Sequence, residues 1–334
     1  MAKNLCAVLT VVSIGMWLTP AAVSAQQGAR AGVGAADSPR AEVLARGRYM
    51  VVTGHCNNCH TAGYQQRAGK ISEKDWLTGR DIGHRGPWGT TYPVNLRINV
   101  NKMSEAEWVA YASTLRARPG MPTWSLRDTN VEDLRAMYQF IKSLGPSDKP
   151  SRQPLPPGQE PQTLYIRVVP GPKPAVPPSG VATDQQKAGA DGKSRPSEPN
   201  AQVLARGRYM LVTGHCNNCH TANYGELEGN VPEKDWVKGS RAGHRGTWGT
   251  TYPTNLRTNV GIMTEAQWVV YARSVKPRPP MPWWAVHETD VEDLRAMYQF
   301  IKALGPVGEP APASLPPERE PTPPYTHWPA IFSD

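Results

Sequence analysis

The stretch Gly54-His-Cys-Asn-Asn-Cys-His-Thr-Ala62 decides how this chain is read, because it returns unchanged at Gly214 to Ala222. Working outward from the two copies, residues 41–146 and 201–306 align without a gap at a constant offset of 160. About two-thirds of the aligned positions are identical, which marks a duplicated unit. A unit of this size is a small domain in its own right, and 334 residues suit two of them. Solenoid repeats are shorter and need three or more copies to bury a core, so two complete copies read as two domains.

The helical signals repeat as well. Ala41 to Gly54 and Ala201 to Gly214 read as an opening helix, with a proline just before each and a glycine at each end. Ser104-x-x-Glu107 and Thr264-x-x-Gln267 are capping boxes, in which Met103 or Met263 staples onto Trp108 or Trp268. The segment from Val131, repeated from Val291, sets Leu134, Met137, Tyr138 and Ile141 on one helical face before a Gly-Pro stop at 145–146 and 305–306. Between the copies, residues 147–200 hold Gln153-Pro-Leu-Pro-Pro157, Pro170-Gly-Pro172, Pro174 and Pro177-Pro178, then a Gly/Ala/Lys/Ser-rich run. Proline fixes φ and removes a donor, so this reads as an extended, partly stiff linker. Leu164 to Val169 is its one strand-like island, and residues 307–334 form a second proline-rich segment with Tyr325, Trp328 and Phe332. The expectation is an all-α chain: two tandem domains, each of three main helices joined by long loops, tethered without a set mutual orientation.

Composition limits the partners. The 34 Pro and 30 Gly imply much loop, and 3 Phe against 11 Trp and 12 Tyr imply small cores. Residues 1–25 read as a secretory signal: Lys3, an apolar run from Leu5 to Leu18, and Val23-Ser-Ala25 as the cleavage site. The expected location is therefore the periplasm, with Cys6 removed alongside the signal and no transmembrane anchor left. The net charge of +9 suits redox protein partners with acidic docking surfaces. Export and the absence of a dense Lys/Arg block argue against nucleic acid.

Cys56-Asn-Asn-Cys59-His60 and Cys216-Asn-Asn-Cys219-His220 carry the C-x-x-C-H signature of covalent haem attachment. Two thiols one helical turn apart reach two vinyl groups, and the next imidazole then lies under the iron, so the expected cofactors are two haem c. A thioredoxin-like site expects alternating strands and helices, and a zinc ribbon expects a second cysteine pair in the same domain. A disulfide across so short a loop constrains little of the unfolded chain. For the second axial position, four methionines recur. Met50 and Met137 fall inside helices and Met103 in a staple. Met121 in Arg118-Pro-Gly-Met-Pro122 and Met281 in Arg278-Pro-Pro-Met-Pro282 sit in loops stiffened by proline. The competing ligands are His84 and His244, while His55 and His215 read as neighbours of the attachment turn.

Gly47-Arg-Tyr49, the Cys-x-x-Cys-His segment, Trp88-Gly-Thr-Thr-Tyr-Pro-x-Asn95, Met121-Pro122 and the last helix of each unit resemble class I cytochrome c domains. Such domains occur in the cytochrome subunits of periplasmic alcohol, aldehyde and gluconate dehydrogenases. The resemblance implies His60 and His220 as proximal ligands and a methionine loop closing the distal side. It also implies Trp88, Tyr92 and Arg97, with Trp248, Tyr252 and Arg257, as holders of the haem propionates or of that loop. Those subunits commonly carry three haem domains and a membrane anchor, which this chain departs from. The expected function is single-electron transfer rather than catalysis. The alternative is a di-haem peroxidase, which needs two unlike halves.

Overall fold

The structure is a computed structural model that describes residues 39–116, 119–172 and 199–330. The expected signal at 1–25 with Cys6, Arg118, the prolines at 174, 177 and 178 with the run after them, and Phe332 lie outside the described residues. Each repeat opens with a long helix, α1 (Pro39–Thr53) or α7 (Pro199–Thr213), whose leading proline occupies a turn that has no N–H partner to lose. Short helices carry the cysteine pairs, α2 (Cys56–His60) and α8 (Cys216–His220). Then come α3 (Leu96–Asn101), α4 (Glu105–Thr114), α5 (Thr123–Arg127) and α6 (Val131–Ser143). In the second repeat their counterparts are α9 (Leu256–Gly261), α10 (Glu265–Ser274), α11 (Trp283–His287) and α12 (Val291–Ala303).

Both capping boxes form at the starts of α4 and α10, and Met103 and Met263 pack on the cores beside Trp108 and Trp268. The apolar face of α6 buries Leu134, Met137, Tyr138 and Ile141 against Met50 and Val51 of α1. Each such side chain contributes about 1.5–3 kcal/mol when taken from water. The two helices cross at Gly47, where a Cβ would stand 2.0 Å from the Ala136 carbonyl oxygen; Gly207 meets Ala296 in the same way at 2.0 Å. Only glycine permits so close a crossing. Among the described residues no helix is long and apolar enough to span a membrane.

The all-α expectation is corrected by a sheet, which makes this an α/β chain. Strands β1 (Gly83–Gly86) and β2 (Gly89–Thr91) form a hairpin in the first repeat, and β4 (Gly243–Gly246) with β5 (Gly249–Thr251) repeat it. β3 (Tyr165–Val169) lies parallel to β1, and β6 (Tyr325–His327) lies parallel to β4. β3 and β6 pair antiparallel, giving one mixed six-stranded sheet in the order β2-β1-β3-β6-β4-β5. The physical reason for the miss is local. β1 and β4 read Gly-His-Arg-Gly, with weak strand propensity and no alternation, and their second partners lie some 80 residues away, so pairing is purely tertiary.

The proline-rich segments are straps that belong to the repeat. Leu155-Pro-Pro-x-x-Glu-Pro161 returns as Leu315-Pro-Pro-x-x-Glu-Pro321 at the same offset. Thr90 and Leu155 exchange two backbone hydrogen bonds at 2.9 Å, as do Thr250 and Leu315 at 2.8 and 2.9 Å. Arg85 fixes the first strap by donating to the Gln159 carbonyl at 2.6 Å and pairing with Glu160 at 2.6 Å. Arg245 donates to the Arg319 carbonyl at 2.8 Å in the second. Gly89, at φ 97°, lets the strap carbonyl of Leu155 approach to where a Cβ would be 2.1 Å away.

The repeats are docked, which corrects the picture of two tethered bodies without a set orientation. Beyond the β3–β6 seam, Tyr49 donates to Asp293 at 2.5 Å and Tyr209 donates to Asp133 at 2.6 Å. Each carboxylate is also forked by an arginine of its own repeat, Arg206 or Arg46. Trp124 donates its indole N–H to Asn218 at 2.8 Å, and Trp284 donates to Asn58 at 3.1 Å. Hydrogen bonds to ionised groups contribute roughly 1.5–3 kcal/mol each. The exchange is reciprocal, so the interface has an internal two-fold character.

Candidate functional site

The site is built where α1 stops. Gly54 and His55 turn the chain, with His55 left-handed at φ 58° and ψ 18°, and α2 then starts on Cys56; His215 does the same at φ 58° and ψ 17°. The His55 and His215 rings stack across the interface at 5.8 Å, so the two cysteine motifs abut. Thr61 pins the end of α2 by donating to Asn57 at 2.7 Å and accepting from the Leu77 amide at 2.8 Å. The Gly79 amide donates to the His60 carbonyl at 2.7 Å, and all of these bonds recur in the second repeat.

All four thiols, on Cys56, Cys59, Cys216 and Cys219, are free. Burial, with the neighbouring sulfur adding to it, pushes Cys56 and Cys216 up to about 12. Burial alone raises Cys219 to about 11. Disulfide exchange runs through a thiolate with a lowered pKa, and Cys56, Cys216 and Cys219 are shifted the opposite way. Nor do the described residues gather three or more His, Cys, Asp or Glu side chains where a bare ion would sit.

His60 and His220 are the buried centre of each motif. Nδ1 of His60 lies 2.7 Å from the Val94 carbonyl, and Nδ1 of His220 lies 2.7 Å from that of Thr254. A carbonyl only accepts, so each ring donates through Nδ1–H and keeps a lone pair on Nε2. That is the tautomer in which a histidine ligates a metal through Nε2. Burial also lowers both rings, His60 to about 4, so they are neutral at neutral pH.

The methionine loops sit beside the hairpins. Thr91 donates to the Pro119 carbonyl at 2.8 Å and Thr251 to that of Pro279 at 2.9 Å, while Met121 and Met281 are half-buried at the turns into α5 and α11. Gly120 brings its loop against His84, where a Cβ would be 2.9 Å from the His84 Cβ. His84 is lowered to about 3 by burial, Arg80 and His60, and His244 to about 4 by burial and His220, so each histidine shares a neighbourhood with its repeat's motif. Arg80 Nη2 lies 3.4 Å from His84 Nε2, and the Trp328 indole lies 3.4 Å from His244 Nδ1.

The remaining expected pocket residues divide. Trp88 and Trp248 fold over Gly86 and Gly246, and both indole nitrogens are buried without a partner. Tyr92 is turned to the strap, with its hydroxyl 3.1 Å from Thr163, and Tyr252 is half-buried at the equivalent place. Arg97 and Arg257 are placed elsewhere: they cap α6 and α12. Arg97 donates to the carbonyls of Lys74, Leu144, Gly145 and Pro146, and Arg257 to those of Lys234, Leu304 and Gly305.

Sequence reasoning missed Arg80, which is 4% exposed and donates to the Asn58 carbonyl at 3.0 Å and to Gln65 at 2.9 Å. Its signal was a mismatch rather than a match, since position 240 holds serine. It also missed the reciprocal set Tyr49, Tyr209, Trp124 and Trp284, visible as polar aromatics repeated at the common offset. No protein-family model matches the chain, and no curated protein is similar to it.

Proposed function

We propose that the chain is a di-haem c-type electron carrier of the periplasm, passing single electrons from a dehydrogenase or another donor to a respiratory acceptor. In this reading Cys56, Cys59 and His60 hold one haem, and Cys216, Cys219 and His220 hold the other. The observation that carries it is the pair of neutral imidazoles, each fixed by an Nδ1–H bond of 2.7 Å to a backbone carbonyl, one residue after a pair of free cysteines. When bound, haem supplies reversible one-electron exchange at its iron.

The donors present suit that group. The unpartnered nitrogens of Trp88, Trp248 and Arg80 are buried donors that lack an acceptor, and haem carries two carboxylates. Leaving such donors unsatisfied costs about 1–3 kcal/mol each. The distal histidines favour methionine as the sixth ligand. Arginine only donates, so Arg80 claims the Nε2 lone pair of His84; the Trp328 N–H claims Nδ1 of His244, which puts the proton on Nε2. Met121 and Met281, on loops held by Thr91 and Thr251, retain thioethers that compete for no proton. The acceptor and donor would present acidic faces to a chain of net charge +9.

The test is spectroscopic. The purified chain is expected to yield two covalent haems in alkaline pyridine, and in the ferric state a weak near-infrared methionine-to-iron band. Met121→Ala and Met281→Ala should each remove about half of that band. Absence of covalent haem sinks the reading, and absence of the band in the unmutated protein transfers the ligand role to His84 and His244.

A further inference from the structure

The two sites are near copies, yet one carries a buried cation that the other lacks. Arg80 lies in the turn between α2 and β1, 4% exposed, and its guanidinium is within electrostatic reach of Cys59, His60 and His84. Its Nη1 is held by the Asn58 carbonyl and by Gln65, whereas its Nε has no acceptor. Among the described residues no Asp or Glu forms an ion pair with it; the partners of its side chain are the Asn58 carbonyl, Gln65 and His84. A guanidinium stays protonated in proteins, and a buried charge without a counter-charge is strongly unfavourable. The geometry thus asks for an anion.

The second repeat replaces the whole socket. Ser240 stands for Arg80 and Gly225 for Gln65, and the Ser240 hydroxyl accepts from the Ala242 amide at 3.0 Å within its own turn. The adjacent exchange of Asp81 for Arg241 runs the other way in charge, but both side chains are exposed, and Asp81 pairs with Arg152 at 3.2 Å. Charges in water are screened far more than a charge in the interior. The buried difference therefore decides the sign.

We propose that Arg80 pairs with a carboxylate of the first cofactor and holds the first site at the higher reduction potential, so that an electron shared by the two halves settles in the first repeat. This rests on the di-haem reading. The step is a one-electron exchange: the second site is oxidised as the first is reduced, and no bond or proton need move. A positive charge near the iron favours the reduced state, which carries one less positive charge. In the second repeat the equivalent carboxylate has no arginine beside it, which favours the oxidised state. The abutting cysteine motifs, with His55 stacked on His215, place the two sites side by side and make such sharing a property of one body.

The experiment is an optical redox titration of the full chain after two covalent haems per chain have been counted. A count below two defeats the di-haem reading itself, a failure separate from any outcome of the titration. The expected titration has two one-electron waves whose separation favours the first site on the order of tenfold or more, as a buried unit charge would. A Cys216→Ala, Cys219→Ala variant, which retains only the first attachment, should keep the upper wave. Arg80→Gln should lower the upper wave towards the other, Arg80→Lys should preserve most of the gap, and Ser240→Arg should raise the lower wave. The inference is overturned if the waves coincide in the unmutated chain, if the single-haem variant keeps the lower wave, or if Gln and Lys shift the potential equally. Should Arg80→Gln fail to fold, an unmoved lower wave in Ser240→Arg overturns it just as well.

Discussion

The two repeats differ least where side chains serve the backbone and most where they face the cysteine motif or each other's helix ends. Thr61, Asn95 and Arg97 recur as Thr221, Asn255 and Arg257 on equivalent partners, the amides of Leu77 and Val237, the carbonyls of Lys149 and Glu309 and those of Gly145 and Gly305, because each satisfies a backbone amide or carbonyl that the fold leaves without a partner of its own. Arg80 with Gln65 has become Ser240 with Gly225, and the cap Asn130 has become Asp290. The scaffold and its paired charges are thus duplicated, while the buried cation Arg80 and the cap of the last helix are not.

The sharpest way to break the likeness is at the helix crossings. Gly47→Ala puts a methyl into the Ala136 carbonyl at 2.0 Å, and Gly207→Ala does the same at Ala296. Each should cost about 3 kcal/mol, since backbone on one helix cannot yield without separating the pair. Chemical denaturation of each variant is the measurement. Equal losses would show that the two cores are equivalent; a loss at one alone would show that one repeat depends on the other.

The helices were legible because their signals are local. The capping boxes at Ser104 and Thr264, the apolar face from Leu134 to Ile141 and the core methionines Met50 and Met137 need no knowledge of distant chain. The sheet was not legible, since Gly-His-Arg-Gly carries no strand signal of its own and the strands on its other side, Tyr165 to Val169 or Tyr325 to His327, lie some 80 residues away. The docking was hidden for a related reason: the acceptors of Tyr49 and Trp124, Asp293 and Asn218, are supplied by the other copy. At the candidate site the cysteines and His60 and His220 were plain from spacing. Arg80 and the straps were less plain, because Arg80 stands opposite Ser240 and the straps follow residues 146 and 306, beyond the last helix of each repeat.

A second contrast lies at the interface and responds to pH. Burial lowers His55 to about 3, with His215 adding to it, and lowers His215 to about 4; Asn58 Nδ2 also donates to Nδ1 of His55 at 3.2 Å. Both folded values lie below the ordinary value near 6.5. For a histidine whose folded pKa is depressed, the unfolded state binds more protons as pH falls, so the stability is whole above about 6.5 and declines below it. Partial exposure of both rings moderates the loss, which should be about 1 kcal/mol between pH 7 and 5. Thermal melts across that range check it. His55→Gln with His215→Gln should lessen the slope, leaving the share of the other buried histidines such as His84 and His244, and an unchanged slope would mean that those groups set the acid limit.

The smallest contrast separates the last helices. Asn130 accepts from the Asp133 amide at 2.7 Å and caps α6, whereas Asp290, the residue before α12, makes no side-chain cap bond. Asn130→Ala should therefore cost about 1 kcal/mol, as lost caps do. Asp290→Ala removes only a negative charge at a helix N-terminus, about 0.3–1 kcal/mol at low salt. Salt distinguishes the two mechanisms, because a hydrogen bond survives screening and a charge-to-dipole attraction does not. Hydrogen exchange of α6 and α12 amides at low and high ionic strength should show an Asn130→Ala defect that salt leaves in place and an Asp290→Ala defect that salt erases. Asp290→Asn is the converse: with the first repeat's residue in place, the amide can reach the Asp293 N–H, and α12 should become as protected as α6.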